Sequence, residues 1–439
     1  MSTRFGNTIK GLSLRSEEVL KRRIHYLSSI ILLPLLVMSC CSRTASAQSP
    51  ARVQALKEIQ KGDNLMALLI WQDALFAYDN AIAIDPTFAN AYMKKADLLS
   101  RLGRKTEAEQ IYAKALKINP YSAYIYDGRA KLRMLAKDYK GALKDLDAAM
   151  EIDRDNVEAR DHLIDDLIAL EQYERALQEI DSLLLRDFRV VYELEKKALV
   201  LLLAGDLDSC IETVETIITI NPNSAFAYDL KGIARLKNNQ TEEALEAFNT
   251  AIDLDSNMVV AYHNRAIAYR LLGNNDAALD DLNAALAIRQ DMEKVFYSRA
   301  VLKKEMGNLD EALTDYNSAI RINDEFDDAL YNRAYTLKLM GNYANAMDDL
   351  NEVLNDNPES AEALNMKGNI EVLYAQYADA IRYYDEAVSL DYEYAEAYYN
   401  RGLAKLMYNQ FREGCLDLQI SLDLGYSRSE KKLQAFCDQ

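Results

Sequence analysis

From Pro50 onward the chain repeats one pattern of small, apolar and polar positions. Pro86, Pro120, Pro222 and Pro358 are separated by 34, 102 and 136 residues, which are whole multiples of 34. With each Pro at position 32 of a 34-residue unit, eleven units run from Ala55 to Arg428 without insertion or deletion. The prolines do not define position 20, so it tests the register. It is Ala in nine units, Cys210 in one and Gly414 in the last. Position 8 is Gly or Ala in every unit except the fourth, which has Ile164. Position 24 is large: Tyr78, Tyr112, Phe248, Tyr316 and Tyr384. Apolar residues at helical spacing predict two helices per unit. Small residues at positions 8 and 20 let the two approach closely, and large ones at 24 fill the space beside them. Gly103, Gly205, Gly273, Gly307 and Gly341 at position 15 supply the turn between helices A and B.

This is the pattern of the tetratricopeptide repeat. The resemblance covers residues 55–428. It implies an all-α, right-handed α-solenoid superhelix of eleven helix hairpins, closed by a C-terminal capping helix over 429–439. Leu433 and Phe436 lie on one side of that helix and Lys431 and Lys432 on the other. A single repeat cannot bury its own apolar face, so stability comes from stacking. Unit 4 departs from the pattern with Ile164, Leu183 and Phe188, which predicts wider helix spacing near units 4 and 5 or a diverged unit that packs normally.

A second pattern is ionic. Position 7 is Arg129, Arg265, Arg299, Arg333 and Arg401 in five units, and sixteen residues later those same units carry Asp145, Asp281, Asp315, Asp349 and Asp417. Arg suits a planar, bidentate grip on a carboxylate, so five structural ion pairs are expected. The alternative is shared duplication history.

Residues 1–39 read as targeting sequence. Lys21-Arg22-Arg23 precede an apolar run, Tyr26–Met38, which is shorter than the roughly 20 residues of a membrane span. Val37-Met38-Ser39-Cys40 resembles the lipobox of bacterial lipoproteins, which implies acylation at Cys40. Ala45-Ser46-Ala47 offers a rival, ordinary secretory cleavage site. Residues 40–54, small and polar, read as a tether. The expected location is a bacterial cell envelope, lipid-anchored and facing the periplasm, or soluble in the periplasm or outside.

The formal net charge of −18 disfavours nucleic acid and anionic lipid as partners, so membrane contact is expected only through the anchor. Three His and five Cys form no metal-ligand spacing and no phosphate loop is present, so neither enzyme activity nor a cofactor is expected. His263, at position 5, is either a groove contact or a surface residue. Envelope tetratricopeptide proteins resemble this chain at its end, with a Cys in the last helix B and another near the terminus. That implies a Cys415–Cys437 disulfide, with two buried thiols as the alternative; Cys210 is expected in the core.

The resemblance also implies that other proteins or peptides are the partners. Lysines that grip chaperone tails in some family members are missing at position 5, which here reads Met93, Asp127, His263, Tyr297, Tyr331 and Asn365. Asn264, Asn332 and Asn400 at position 6 resemble the peptide-holding Asn ladder of the O-linked glycosyltransferase superhelix, though Ser298 and Met366 interrupt it. With Tyr297, Tyr331, Tyr335 and Tyr399 nearby, units 7–11 are the expected partner-binding groove. Asp97, Asp127 and Asp165 make the earlier groove more acidic and suited to basic segments.

Overall fold

The computed structural model describes residues 49–186 and 189–437, which form helices joined by short connections. The lipobox and Cys40 therefore lie outside the described residues, as does Phe188. Among the described residues there are twenty-three helices and no strand. Helix A fills positions 1–13, as in Ala89–Arg101, Val259–Leu271 and Ala361–Leu373. Helix B fills positions 17–30, as in Lys105–Ile118 and Asn275–Ile288. Side-chain caps from Asp138, Asn156, Asp206, Ser224, Asn274 and Ser360 satisfy backbone N–H groups that helix starts leave open.

The first helix corrects the expected tether. It spans Pro50–Ala67, so repeat 1 begins five residues early. Ser49 caps it, Pro50 presets its first turn, and Arg52 reaches Asp85 at 2.5 Å.

Position 15 is the sharpest backbone signature. In all eleven repeats it takes positive φ, whether it is Gly103 or Gly307 or instead Leu69, Lys137, Glu171, Asn239, Ala375 or Asn409. The left-handed residue reverses the chain between helices A and B, a geometry that side chains disfavour.

The described residues form two compact units, one ending at residue 238 and the other starting at 239, divided in the A–B turn of repeat 6. The core of the first unit centres on Tyr78, Tyr112, Leu98 and Leu99, then on Leu146, Leu163, Ile164 and Ile180. In the second, Leu282 and Val295, Tyr316, Leu330 and Leu350, and Tyr384 anchor successive clusters. Close approach at position 8 is real: a Cβ on Gly368 would lie 2.5 Å from Cε1 of Tyr384. In repeat 4, Ile164 and Leu183 are fully buried, and its two helices make sparser contact than those of the other hairpins that lie within one unit. The branched side chain at position 8 takes the place of backbone approach.

The capping helix, Arg428–Phe436, is held differently from the sequence expectation. Phe436 is exposed and Leu433 only half-buried. The buried residue is Ser429, which donates to Oγ of Ser421 at 2.9 Å, while Ser421 donates to the Ala395 carbonyl at 2.7 Å.

Candidate functional site

All five Arg–Asp pairs form two parallel hydrogen bonds. Nε lies 2.8 Å from one carboxylate oxygen and Nη2 2.6–2.7 Å from the other, from Arg129–Asp145 to Arg401–Asp417. The Asp residues are buried and the Arg half-buried, so each pair ties helix A to helix B of its own repeat. Hydrogen bonding by Asp281 and Asp349 holds the guanidinium groups of Arg265 and Arg333 still further above their ordinary range.

The guanidinium also reaches backward. Nη1 of Arg265, Arg299, Arg333 and Arg401 donates to Asn249, Asn283, Asn317 and Asp385 at 2.7–2.8 Å, sixteen residues earlier on the preceding helix B. Lysine at position 7 makes this backward contact without an ion pair across its own hairpin: Lys95–Asp79, Lys197–Asp181, Lys231–Glu215 and Lys367–Asn351. The sequence reading missed that second partner. Its signal is the polar residue at position 25, spaced sixteen residues before position 7. Two exceptions follow from local sequence. Arg129 faces Ala113 at that spacing, and Arg133 instead joins Asp145 to Glu109. In repeat 4, position 7 is the buried Leu163, and Arg160 takes Glu179 at 2.5 Å.

Successive A helices touch within each unit, and their contact line is polar. Position 5 of one repeat meets position 6 of the next, 35 residues on. His162 Nδ1 is 2.7 Å from Asp127, and His263 Nε2 is 2.7 Å from Ser298 Oγ. Asn332 donates to the Tyr297 hydroxyl at 3.1 Å, and Asn400 to Asn365 at 3.0 Å. His263 is thus buried and bonded, not a surface residue. Asn332 and Asn400 thus stitch repeats together, and Asn332 also donates to the Asp328 carbonyl while accepting from Lys304; Asn264 is buried. Half-buried on this face are the tyrosines. Tyr297 packs on Phe326 at 5.1 Å, Tyr399 packs on Tyr426 at 5.1 Å, and Tyr331 and Tyr335 lie between them.

The expected acidic groove of the early repeats is largely neutralised from within. Asp97 accepts from the Tyr112 hydroxyl, and Asp165 pairs with Lys196 at 3.1 Å. Burial pushes Asp127 up, but His162 and Lys131 outweigh it and hold the carboxyl below its usual range. Lys196 is itself fully buried, with Asp161 at 3.5 Å and the Tyr192 ring at 5.3 Å. Beside it sits Glu193, fully buried and pushed up to about 7 by burial and by Asp161. Asp166 has no exposure and no hydrogen-bond partner on either oxygen.

Cys415 and Cys437 form a disulfide, with Cα atoms 5.7 Å apart, and Cys210 is a buried free thiol. Among the described residues no group of acidic, His or Cys side chains could hold a metal ion, and no helix is long and apolar enough to cross a membrane.

Comparison with known proteins finds the same repeat. Four tetratricopeptide-repeat family models match, at residues 302–341, at 71–132, at 230–293 and 375–407, and at 328–360. RNA polymerase II-associated protein 3 of Xenopus tropicalis is 30% identical over 110 residues, covering 25% of this chain and 17% of that protein. Human tetratricopeptide repeat protein 13 is 32% identical over 81 residues, covering 18% of this chain and 9% of that protein. The chain therefore spans under a fifth of these curated relatives. Two solved structures are also similar. The APC/C hetero-tetramer Cut9–Hcn1 matches at 12% identity and TM-score 0.49, covering 88% of this chain and 96% of that one. A tetratricopeptide repeat protein from Parabacteroides merdae ATCC 43184 matches at 22% and 0.45, covering 56% and 97%. Proteins built this way generally mediate protein–protein interaction. The helix hairpins, their register and the family matches together establish the chain as an array of tetratricopeptide repeats.

Proposed function

We propose that this chain is a protein-binding scaffold of the bacterial cell envelope, anchored by a lipid on Cys40 and acting by holding partners rather than by catalysis. The carrying observation is the helix A face of repeats 8–11, where half-buried Tyr297, Tyr331, Tyr335 and Tyr399 lie beside a hydrogen-bonded backing of Asn332, Asn365 and Asn400. Tyrosine combines contact area with a hydroxyl, which binding surfaces favour. A rigid backing keeps the ordering cost of binding low. The amides hold the wall on which a partner lies and the tyrosines touch it.

The test is site-specific photocrosslinking in native envelope. Crosslinkers at Tyr331 and Tyr399 should capture a shared partner, and crosslinkers at Asp310 and Asp379 on B helices should not. Equal capture from both faces would refute the placement. For the anchor, metabolic palmitate labelling should disappear in Cys40→Ala, and membrane association should go with it. The Ala45-Ser46-Ala47 site favours a second reading, a soluble exported recognition component that delivers clients to a separate enzyme. A mature N-terminus at Gln48 would select it.

A further inference from the structure

Where helix A ends in repeats 9, 10 and 11, each A–B turn carries two exposed apolar side chains: Leu339 and Met340, Leu373 and Tyr374, Met407 and Tyr408. Helix B then opens on an aromatic residue, Tyr343, Tyr377 or Phe411, the last of them exposed. These turns follow one another along one edge. Tyr343 of repeat 9 meets Tyr374 of repeat 10 edge-on, with ring centroids 5.4 Å apart. The Cys415–Cys437 bond carries the row onto the cap. There exposed Phe436 has its carbonyl 4.0 Å from Cys415 Sγ, one helical turn from Phe411.

The row is almost uncharged. Positions 13–19 of these three repeats hold three charged side chains, Asp379, Arg412 and Glu413, whereas the single turn of repeat 8 holds as many, Glu305, Asp310 and Glu311. Arg412 and Glu413 cancel, and Asp379 has Arg382 at 3.6 Å. Among the apolar residues stand neutral amides, Asn342, Gln376 and Gln410. In a chain of net charge −18 this edge is a local gap in the field. Exposed apolar patches mark contacts with proteins or membranes. A charged partner, whether protein or anionic lipid, finds nothing to pair with here, while a zwitterionic bilayer is not repelled. Tyrosine and phenylalanine beside leucine and methionine also suit headgroup depth, where an apolar body faces the acyl chains and a hydroxyl or amide stays wet.

We propose that the A–B turn edge of repeats 9–11 rests on the interfacial layer of a zwitterionic lipid bilayer, with Leu373, Tyr374, Met407, Tyr408 and Phe411 entering the headgroup region. The inference takes the presence of a bilayer from the targeting and anchoring reading of residues 1–40 above, and adds a second, non-covalent contact with it. Insertion removes exposed apolar area from water, and the amides hydrogen-bond the headgroups.

The experiment uses the full-length chain reconstituted in phosphatidylcholine vesicles, with benzoylphenylalanine in place of Tyr374, Tyr408 or Tyr392. Tyr392 is the control: it is at least as exposed, but lies in a B–A connection at the other end of the helices. After irradiation, mass spectrometry should find lipid adducts at Tyr374 and Tyr408 and none at Tyr392. Their yield should hold as salt is raised, because no charge carries the contact, and fall as phosphatidylglycerol replaces phosphatidylcholine. Equal adducts at Tyr392, no lipid adducts at all, or crosslinks to a second copy or another protein in place of lipid each overturn the proposal. Palmitate labelling reports the anchor and the adducts report the edge. A chain without palmitate whose Tyr374 and Tyr408 still take lipid removes the anchor and keeps the edge; a palmitoylated chain without adducts does the reverse.

Discussion

The guanidinium of Arg333 lies flat against the carboxylate of Asp349, with Nε 2.8 Å from one oxygen and Nη2 2.7 Å from the other. Its remaining nitrogen crosses to Asn317 of the preceding repeat at 2.7 Å. One side chain therefore ties its own hairpin together and ties that hairpin to the one before. Lysine has a single reach, and the lysine repeats use it backward.

Arg333→Lys should therefore keep the bond to Asn317 and lose the one to Asp349. With Asp349 buried, the loss should be about 1–2 kcal/mol, read from chemical denaturation. Adding Asn317→Ala should cost further stability in the lysine background. An unchanged midpoint in Arg333→Lys would mean the bidentate geometry contributes nothing.

A second prediction concerns the A–B turns. Leu69, Lys137, Glu171 and Ala375 hold positive φ with a Cβ, where glycine is strain-free. Replacing Glu171 or Lys137 by Gly should raise stability by up to about 1 kcal/mol, despite the extra freedom of the unfolded glycine chain. Gly307→Ala, with φ at 86°, should lower it by roughly 1 kcal/mol. Matched thermal melts decide this, and a destabilised Glu171→Gly would show that the helix end carries the turn unaided.

How much of this the sequence reveals depends on the range of the contact. Small residues at positions 8 and 20 and the Arg–Asp spacing describe one hairpin, whose helices are fixed relative to each other by a short turn. The backward bond of Arg265 to Asn249 needs the rotation from one hairpin to the next, which no single unit encodes. The same limit hid the pairing of His263 with Ser298 and turned the expected amide hooks into internal stitches. Asp166 was passed over because an acid on a helix reads as solvated. Its burial follows only from noticing that position 10 is apolar in most other units, as at Leu98, Leu132, Val200 and Ile370.

The cap offers a third prediction. Its helix buries only Ser429, so the Cys415–Cys437 bond supplies much of its attachment. Cys415→Ser with Cys437→Ser should leave the repeats folded but cost about 2–3 kcal/mol in the last of them. Amide exchange should rise across Arg428–Phe436 and remain unchanged in repeats 7–9. Unchanged exchange in the cap would show that the serine hydrogen bonds suffice.

The last prediction follows from Asp166. This carboxyl sits at a position that holds apolar side chains in most other units, and neither oxygen has a hydrogen-bond partner. Burial, and then the charges of Asp138, Asp147 and Asp165, push it up to about 7. Arg175 pairs with Asp147 and so removes part of that repulsion. A raised acid binds its proton more tightly in the folded state than in the unfolded one. The folded chain therefore holds more protons between the ordinary carboxyl range and about pH 7, and stability falls as pH rises through that window. Above it the full penalty stands. Asp166→Leu should therefore raise stability at pH 8 by roughly 2 kcal/mol and change it much less at pH 5. Glu193, also raised to about 7, leaves a residual slope in the same window, so the readout is the difference between variant and wild type at each pH. Equal stabilisation at pH 5 and pH 8 would mean that packing, not charge, accounts for the gain. Destabilisation at pH 8 would mean that the carboxylate has a partner in solution.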